Sequence, residues 1–224
     1  MSKMLDHILP PMPAFLNMVS DQAELLAKCM VTAVDCLNDP DSIRYQALAD
    51  IDTKAKELRS RHLDKLNDSF STPIDRADLL QAINTLEIPV ETMREALEEM
   101  RALKVSSDRY CLEMAVVLRE AASALHRGYS RLATKPGMSE PEAQMAMQAP
   151  ASVDHVYRKA VGKLFTIDDD TKQALAQEED THIATFIQTV DILKRREAYR
   201  HLRTISVQMG EAAAVLHSIV MQNG

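Results

Sequence analysis

The chain has no tryptophan, and aromatic residues make up only 4% of its 224 residues. Glycine is also scarce, with 5 residues, and β-branched runs that alternate with polar residues are hard to find. An extensive sheet needs such strands and many turns, so a mainly β fold is excluded. The apolar residues, 46% of the total, are chiefly Leu, Ile, Val, Ala and Met, which fill the cores of packed helices. These features predict an all-α protein.

Motifs for common enzyme chemistry are missing as well. The sequence contains no G-x-S-x-G, no P-loop and no G-x-G-x-x-G, so nucleotide binding is not expected. The seven histidines are scattered, and none of them has the neighbours of a catalytic base. The net charge of −7 argues against a nucleic acid as the main partner, because such proteins usually carry a broad basic surface. A non-enzymatic protein is therefore expected.

The cysteines indicate the compartment. Cys29, Cys36 and Cys111 are odd in number and lack a zinc-binding spacing, so we expect free thiols in a reducing compartment, most simply the cytoplasm. The first 21 residues contain charged residues and three prolines where a signal peptide needs an unbroken apolar core. We also expect no stretch long enough to span a bilayer.

Apolar residues at three- and four-residue spacing predict about six helices. They cover approximately residues 12–37, 40–67, 72–103, 106–133, 139–165 with an interruption at Pro150, and a last region from the acidic turn 166–171 to 221. The third helix is expected to use Thr72 as its N-cap, with Pro73 in the first helical position. Ser106 or Ser107, followed by Asp108, is expected to start the fourth.

The sequence has a weak internal repeat. Residues 61–70 and 158–167 each end a long helix and precede a capped one. This similarity predicts a single domain, 1–224, made of two related three-helix halves at about 12–104 and 106–222.

Two separated stretches carry a family resemblance. Residues 65–87, "KLNDSFSTPIDRADLLQAINTLE", closely resemble a signature of the PhoU-like phosphate-transport accessory proteins, often called Pit accessory proteins. The matching residues are Leu66, Asn67, Phe70, Thr72, Pro73, Asp75, Arg76, Asp78, Leu79, Ile83 and Leu86. A C-terminal stretch, 191–224, matches through Lys194, Glu197, Tyr199, His201, Leu202, Ala213, Ile219, Val220 and Asn223. The resemblance runs from about residue 23 to the end and is weakest between 105 and 150.

The resemblance implies a fold, a location and a role. The fold is a PhoU-like helical bundle of two three-helix units, and the location is the cytoplasm, with the inner face of the membrane as a place of peripheral attachment. The role is that of a non-enzymatic regulator of inorganic phosphate transport that binds a Pit-type phosphate transporter. We also expect the protein to form a homo-oligomer.

PhoU-like proteins often carry acidic pairs at i, i+4 spacing that bind iron or another divalent cation. Such a pair places two carboxylates one helical turn apart, where they can share an ion. Of the four pairs that the resemblance places in this chain, only that of Glu87 and Glu91 is complete. The other pairs keep one acid each: Asp52 with Lys56, Asp154 with Pro150, and Glu211 with Val207.

Two interpretations of these acids stay open. They can form a metal-binding or metal-buffering site, or they can be solvated charges on helix surfaces. As a variant of the second, Lys56 can neutralise Asp52, Glu87 and Glu91 in place of a metal.

Basic residues cluster near the C-terminus, at Lys194, Arg195, Arg196, Arg200 and Arg203. They can contact an acidic partner, phosphate or anionic lipid. Alternatively, they form a solvated helix surface with a local excess of positive charge.

Overall fold

The structure, a computed structural model, describes residues 12–39, 43–69, 72, 74–166 and 181–223. Within these ranges the secondary structure is helical, and no strand occurs. The α-helices are α1 (Met12–Asn38), α2 (Arg44–Asp68), α3 (Arg76–Ala102), α4 (Arg109–Arg131), α5 (Glu140–Met147), α6 (Ala149–Leu164) and α7 (Thr181–Asn223). A 3₁₀ turn, Pro136–Met138, precedes α5. The expected interruption is present but lies at Gln148, which separates α5 from α6, and Pro150 stands in the first turn of α6.

The helix starts show where local sequence signals are decisive. α4 starts within the predicted segment, but its cap is Asp108, not Ser106 or Ser107, and the Asp108 carboxylate accepts hydrogen bonds from the amides of Tyr110 and Cys111. The prediction for α3 is wrong in its cap, because Asp75 takes that position and accepts from the Ala77 amide at 2.8 Å. Asp75 has non-helical backbone angles, and the side chain before it, Ile74, is buried in the core. The chain is therefore extended at Asp75, and a helix starting at Thr72 could not continue through it.

The helices pack in a regular order. Four helices form the centre: α1, α3, α4 and α7. α1 contacts α3 and α4, and α7 contacts the same two helices. α2 packs on α1 and α3, while α5 and α6 pack on α4 and α7. One cluster of buried apolar side chains includes residues of all seven helices. The helices of both halves share one core, and the division into two related halves, 12–104 and 106–222, stays a prediction.

α7 differs from the sequence-based expectation about membrane spans. Between Thr185 and Gln222 it contains a window long and apolar enough to cross a bilayer, with a mean hydropathy of 1.2. Half of that window is buried inside the protein, where side chains such as Ile205, Met209 and Leu216 belong to the core. An amphipathic core helix passes the same test of length and composition, so α7 does not by itself indicate a membrane protein.

Candidate functional site

The acids singled out in the sequence meet two basic side chains between α2 and α3. Lys56 Nζ lies 3.1 Å from Asp52 Oδ2 and 2.7 Å from Glu91 Oε1, so one ammonium group joins the two helices. Arg94 Nε donates to the same Asp52 oxygen at 2.9 Å, and Arg94 Nη1 reaches Glu98 Oε2 at 2.5 Å. We call Asp52, Lys56, Glu87, Glu91 and Arg94 the α2–α3 charge cluster.

Helical spacing positions these side chains. Asp52 and Lys56 are one turn apart on α2, and Glu87, Glu91 and Arg94 follow one another along one face of α3. α3 continues through Pro89, which is buried, so Glu87 and Glu91 stay on one helix. The two faces meet because α2 packs against α3.

Burial makes the acids of this cluster depend on nearby positive charge. Asp52 and Glu87 are only 6% and 8% exposed, and Asp52 Oδ1 is buried without a hydrogen-bond partner. Burial raises the pKa of Glu87, and the neighbouring carboxylate of Glu91 raises it further, against the opposing effect of Arg59 and Lys56. A buried carboxylate is costly unless a cation or hydrogen-bond donors stabilise it, so Lys56 and Arg94 have a clear electrostatic role.

The contacts fit the hypothesis that a lysine takes the place of a metal ion. An ammonium group has donors and no lone pair, so it cannot be a ligand, but it can supply positive charge between carboxylates. Arg94 supplies further positive charge to this cluster, and its part was not anticipated from the sequence. A signal for it exists, because residues 87, 91, 94 and 98 all recur on one face of α3.

The remaining two acids lie in the second half of the chain and are not brought together by a shared cation. Asp154 on α6 pairs with Arg158 on the same helix and with Arg203 of α7, at 2.9 Å for the latter. These arginines, Arg158 first, lower the pKa of Asp154. Glu211 is exposed, and among the described residues no ion pair involves it. A metal site that combines Asp154 and Glu211 gains no support from this geometry and stays a prediction.

The C-terminal basic cluster is largely paired within the protein. Arg195 bonds Asp191 at 2.7 Å, Arg200 bonds Glu197, and Arg203 bonds Asp154 and stacks over the Tyr157 ring. Lys194 is half-buried and Arg196 is exposed, and no acidic partner is found for either among the described residues. Within the part of the chain that the structure describes, these two of the five predicted partner-binding residues therefore form no direct ion pair.

An exposed apolar surface lies beside these two residues, and sequence reasoning missed it. Along the first turns of α7 the side chains of Ile183, Phe186, Ile187 and Leu193 are all more than half exposed. Phe186 and Ile187 follow Ile183 by three and four residues, and Leu193 follows Phe186 by seven, so the four lie along one side of the helix. We call these four residues the α7 apolar stripe. Clustered large apolar side chains in contact with solvent are typical of interaction surfaces.

The cysteines offer no reactive thiol. Cys29, Cys36 and Cys111 are free and buried. Burial raises the pKa of Cys36 to about 11 and that of Cys111 to about 12. A thiol is nucleophilic as its thiolate, so all three remain inert at neutral pH. The expectation of free thiols is confirmed.

Comparison with known proteins gives similarity over most of the chain. No protein-family model matches. UPF0111 protein YkaA of Bacillus subtilis (strain 168) is 24% identical over 178 residues, which cover 79% of this chain and 78% of YkaA.

Solved structures share the architecture. PhoU from Pseudomonas aeruginosa superposes with a TM-score of 0.63 at 16% identity, over 94% of this chain and 97% of PhoU. A PhoU-like protein from Shewanella oneidensis MR-1 has a TM-score of 0.55 at 10% identity, with 92% and 96% covered. A second protein from that organism, assigned as a PhoU-like phosphate regulatory protein, gives 0.55 at 10% identity, with 93% and 99% covered. The chain therefore has the PhoU-like fold, as the resemblance predicts.

Proposed function

We propose that this protein is a non-enzymatic, cytoplasmic accessory regulator of inorganic phosphate transport, and that it acts by binding a Pit-type phosphate transporter. The observation that carries the proposal is the PhoU-like fold, which extends over at least 92% of the chain in each of the three structural comparisons. A fold alone does not define a function, so the surface chemistry must supply the rest of the argument.

The α7 apolar stripe is the proposed contact with the transporter. It supplies apolar area, and Lys194 and Arg196 lie directly beyond its last residue, Leu193. The cytoplasmic side of a membrane is negatively charged, so a basic end directs this surface toward a protein embedded there. The chain as a whole has a net charge of −7, so a general attraction to the membrane does not explain such binding.

Metal buffering by the α2–α3 charge cluster is the alternative function. It is less well supported, because Lys56 and Arg94 already bring positive charge to Asp52, Glu91 and Glu98. A cation entering this cluster would have to displace at least one of these ion pairs.

Co-purification tests the proposed contact. Tagged full-length protein is expected to capture the Pit-type transporter from detergent-solubilised native membranes. The double variant Phe186→Glu/Ile187→Glu is expected to reduce capture about tenfold or more, because it places two charges in an apolar contact. Ile43→Glu is the matched control, since Ile43 is 90% exposed and lies at the start of α2, outside the stripe.

Other outcomes of this experiment count against the proposal. Equal capture by all three proteins would show that the stripe is not the contact, and no capture at all would remove the transporter as a partner. The predicted homo-oligomer is measured in parallel by sedimentation. If the double variant changes self-association and leaves transporter capture intact, the stripe is an interface between copies of this chain.

A further inference from the structure

A second group of potential ligands lies between α3 and α7, away from the α2–α3 charge cluster. Glu99 is near the end of α3, while Glu197 and His201 are one turn apart on α7. His201 Nε2 lies 2.8 Å from Glu99 Oε2 and 3.7 Å from Glu197 Oε1. One potential ligand atom from each residue falls within 4.8 Å of the other two. We call these three residues the α3–α7 triad.

The geometry points to a binding site for a divalent first-row transition-metal ion at the α3–α7 triad. Metal–nitrogen and metal–oxygen bonds are about 2.0–2.2 Å long, so two ligand atoms of one ion lie at most about 4.4 Å apart. The three ligand atoms need only a small closure to meet this limit. Such a closure lies within the range of side-chain rotation for two glutamates and a histidine on opposed helices.

The types of ligand set the class of ion. One imidazole nitrogen and two carboxylate oxygens suit zinc, iron, cobalt or manganese better than calcium, which prefers oxygen ligands alone. Glu197 and His201 at i, i+4 spacing form a chelating pair on one helix, and Glu99 completes the set from the other. Three protein ligands leave further positions for water.

The helix segments that carry the α3–α7 triad are packed against the apolar core. Buried Met100 and Ala198 lie next to Glu99 and Glu197 in the chain, and they belong to the apolar core under the triad. Tyr199, also on α7, is buried and donates a hydrogen bond to Asp108 at the start of α4. Buried Ala198 and Tyr199 thereby fix the backbone between Glu197 and His201, which lowers the conformational cost of binding an ion.

Two basic side chains, Lys194 and Arg200, border this site. Arg200 bonds both carboxylate oxygens of Glu197, and its side chain is 61% exposed and approaches from solvent. Each carboxylate oxygen can accept more than one partner, so this contact leaves acceptor capacity on Glu197. His201 contributes a neutral ligand, whereas Lys56 in the other cluster cannot bind a metal at all.

Titration of the purified full-length protein with Co²⁺ tests the site, with the visible absorption of bound cobalt as the readout and Zn²⁺ as the competitor. We expect one Co²⁺ per chain in the wild type. His201→Asn and Glu99→Gln are each expected to weaken binding about tenfold or more. Matched controls are His155→Asn and Glu95→Gln, which alter an exposed histidine on α6 and an exposed glutamate on α3. Circular dichroism confirms that each variant is folded.

Two results would overturn the inference. One is the absence of saturable binding by the folded wild type at millimolar Co²⁺. The other is unchanged binding in His201→Asn together with loss of binding in Glu87→Gln/Glu91→Gln, which would place the ion between α2 and α3. The inference does not depend on the proposed transporter, because metal binding is measured on the isolated protein.

Discussion

Acidification is expected to destabilise the bundle through His62, by about 2 kcal/mol at pH 5 and about 3 kcal/mol at pH 4 relative to pH 7. His62 is 3% exposed on α2, and its Nδ1 is buried without a hydrogen-bond partner. Burial, reinforced by the charges of Lys65 and Arg61, lowers the pKa of His62 to about 4. The folded state therefore resists taking up a proton that the unfolded chain accepts.

The sign of this pH effect on the free energy of unfolding follows from the number of protons bound in the folded and unfolded states. Above the unfolded-state pKa of about 6.5 both states carry neutral histidine, so the effect is absent. As the pH falls toward 4, the unfolded chain is protonated first and the free energy of unfolding decreases. Carboxylates with lowered pKa values, such as Glu142 beside Arg127, lose stabilisation in acid as well, so the His62 contribution must be isolated by a variant.

Urea unfolding at pH 7, 5 and 4 measures this effect in the wild type and in His62→Gln. The variant is expected to lose about 2 kcal/mol less than the wild type between pH 7 and pH 5. His155→Gln is the control, because it makes the same replacement at an exposed position on α6. Parallel curves for the wild type and His62→Gln would show that His62 is not kept neutral by the fold.

Reversal of charge at Lys56 is expected to destabilise the protein by about 2 kcal/mol at pH 7. Lys56→Glu removes the cation that joins Asp52 to Glu91 and adds a like charge beside them. The cost is smaller than for a fully buried ion pair, because the Lys56 side chain is 43% exposed. Lys54→Glu is the matched control, since Lys54 is exposed on the same helix and takes part in no ion pair among the described residues.

The same substitution tests whether Lys56 stands in for a metal ion. Lys56→Glu places a second carboxylate one turn from Asp52, opposite Glu87 and Glu91. We expect Mn²⁺ to restore about 3 kcal/mol at a concentration about 100 times its Kd. The measurement uses a His201→Asn background, so that binding at the α3–α7 triad does not contribute. If Mn²⁺ has no effect on Lys56→Glu, the interpretation of Lys56 as a replacement for a metal is wrong.

Local signals in the sequence predicted the helices well and long-range contacts poorly. The start of α4 was predicted to within two residues from Ser106, Ser107 and Asp108, because an N-cap bonds the amides next to it in the chain. The start of α3 was predicted at Thr72, whereas Asp75 is the cap, and burial of Ile74 favours this later start. That burial depends on the packing of other helices and cannot be read from a turn motif alone.

The same distinction applies to the candidate sites. The contact between Lys56 and Asp52 could be predicted from their i, i+4 spacing, and the proximity of Glu91 from the family resemblance. Glu99 and His201 are 102 positions apart, so only the packing of α3 against α7 brings them together. The α7 apolar stripe was missed for a related reason, because its spacing resembles that of a buried helix face until the neighbouring helices are known.

Uptake of radiolabelled inorganic phosphate by whole cells tests the central claim most directly. Deletion of the gene is expected to change the uptake rate through the Pit-type transporter, and the wild-type protein and Ile43→Glu are expected to restore it. The folded double variant Phe186→Glu/Ile187→Glu is expected not to restore it. An uptake rate that is the same with and without the protein would contradict its role as a regulator of phosphate transport.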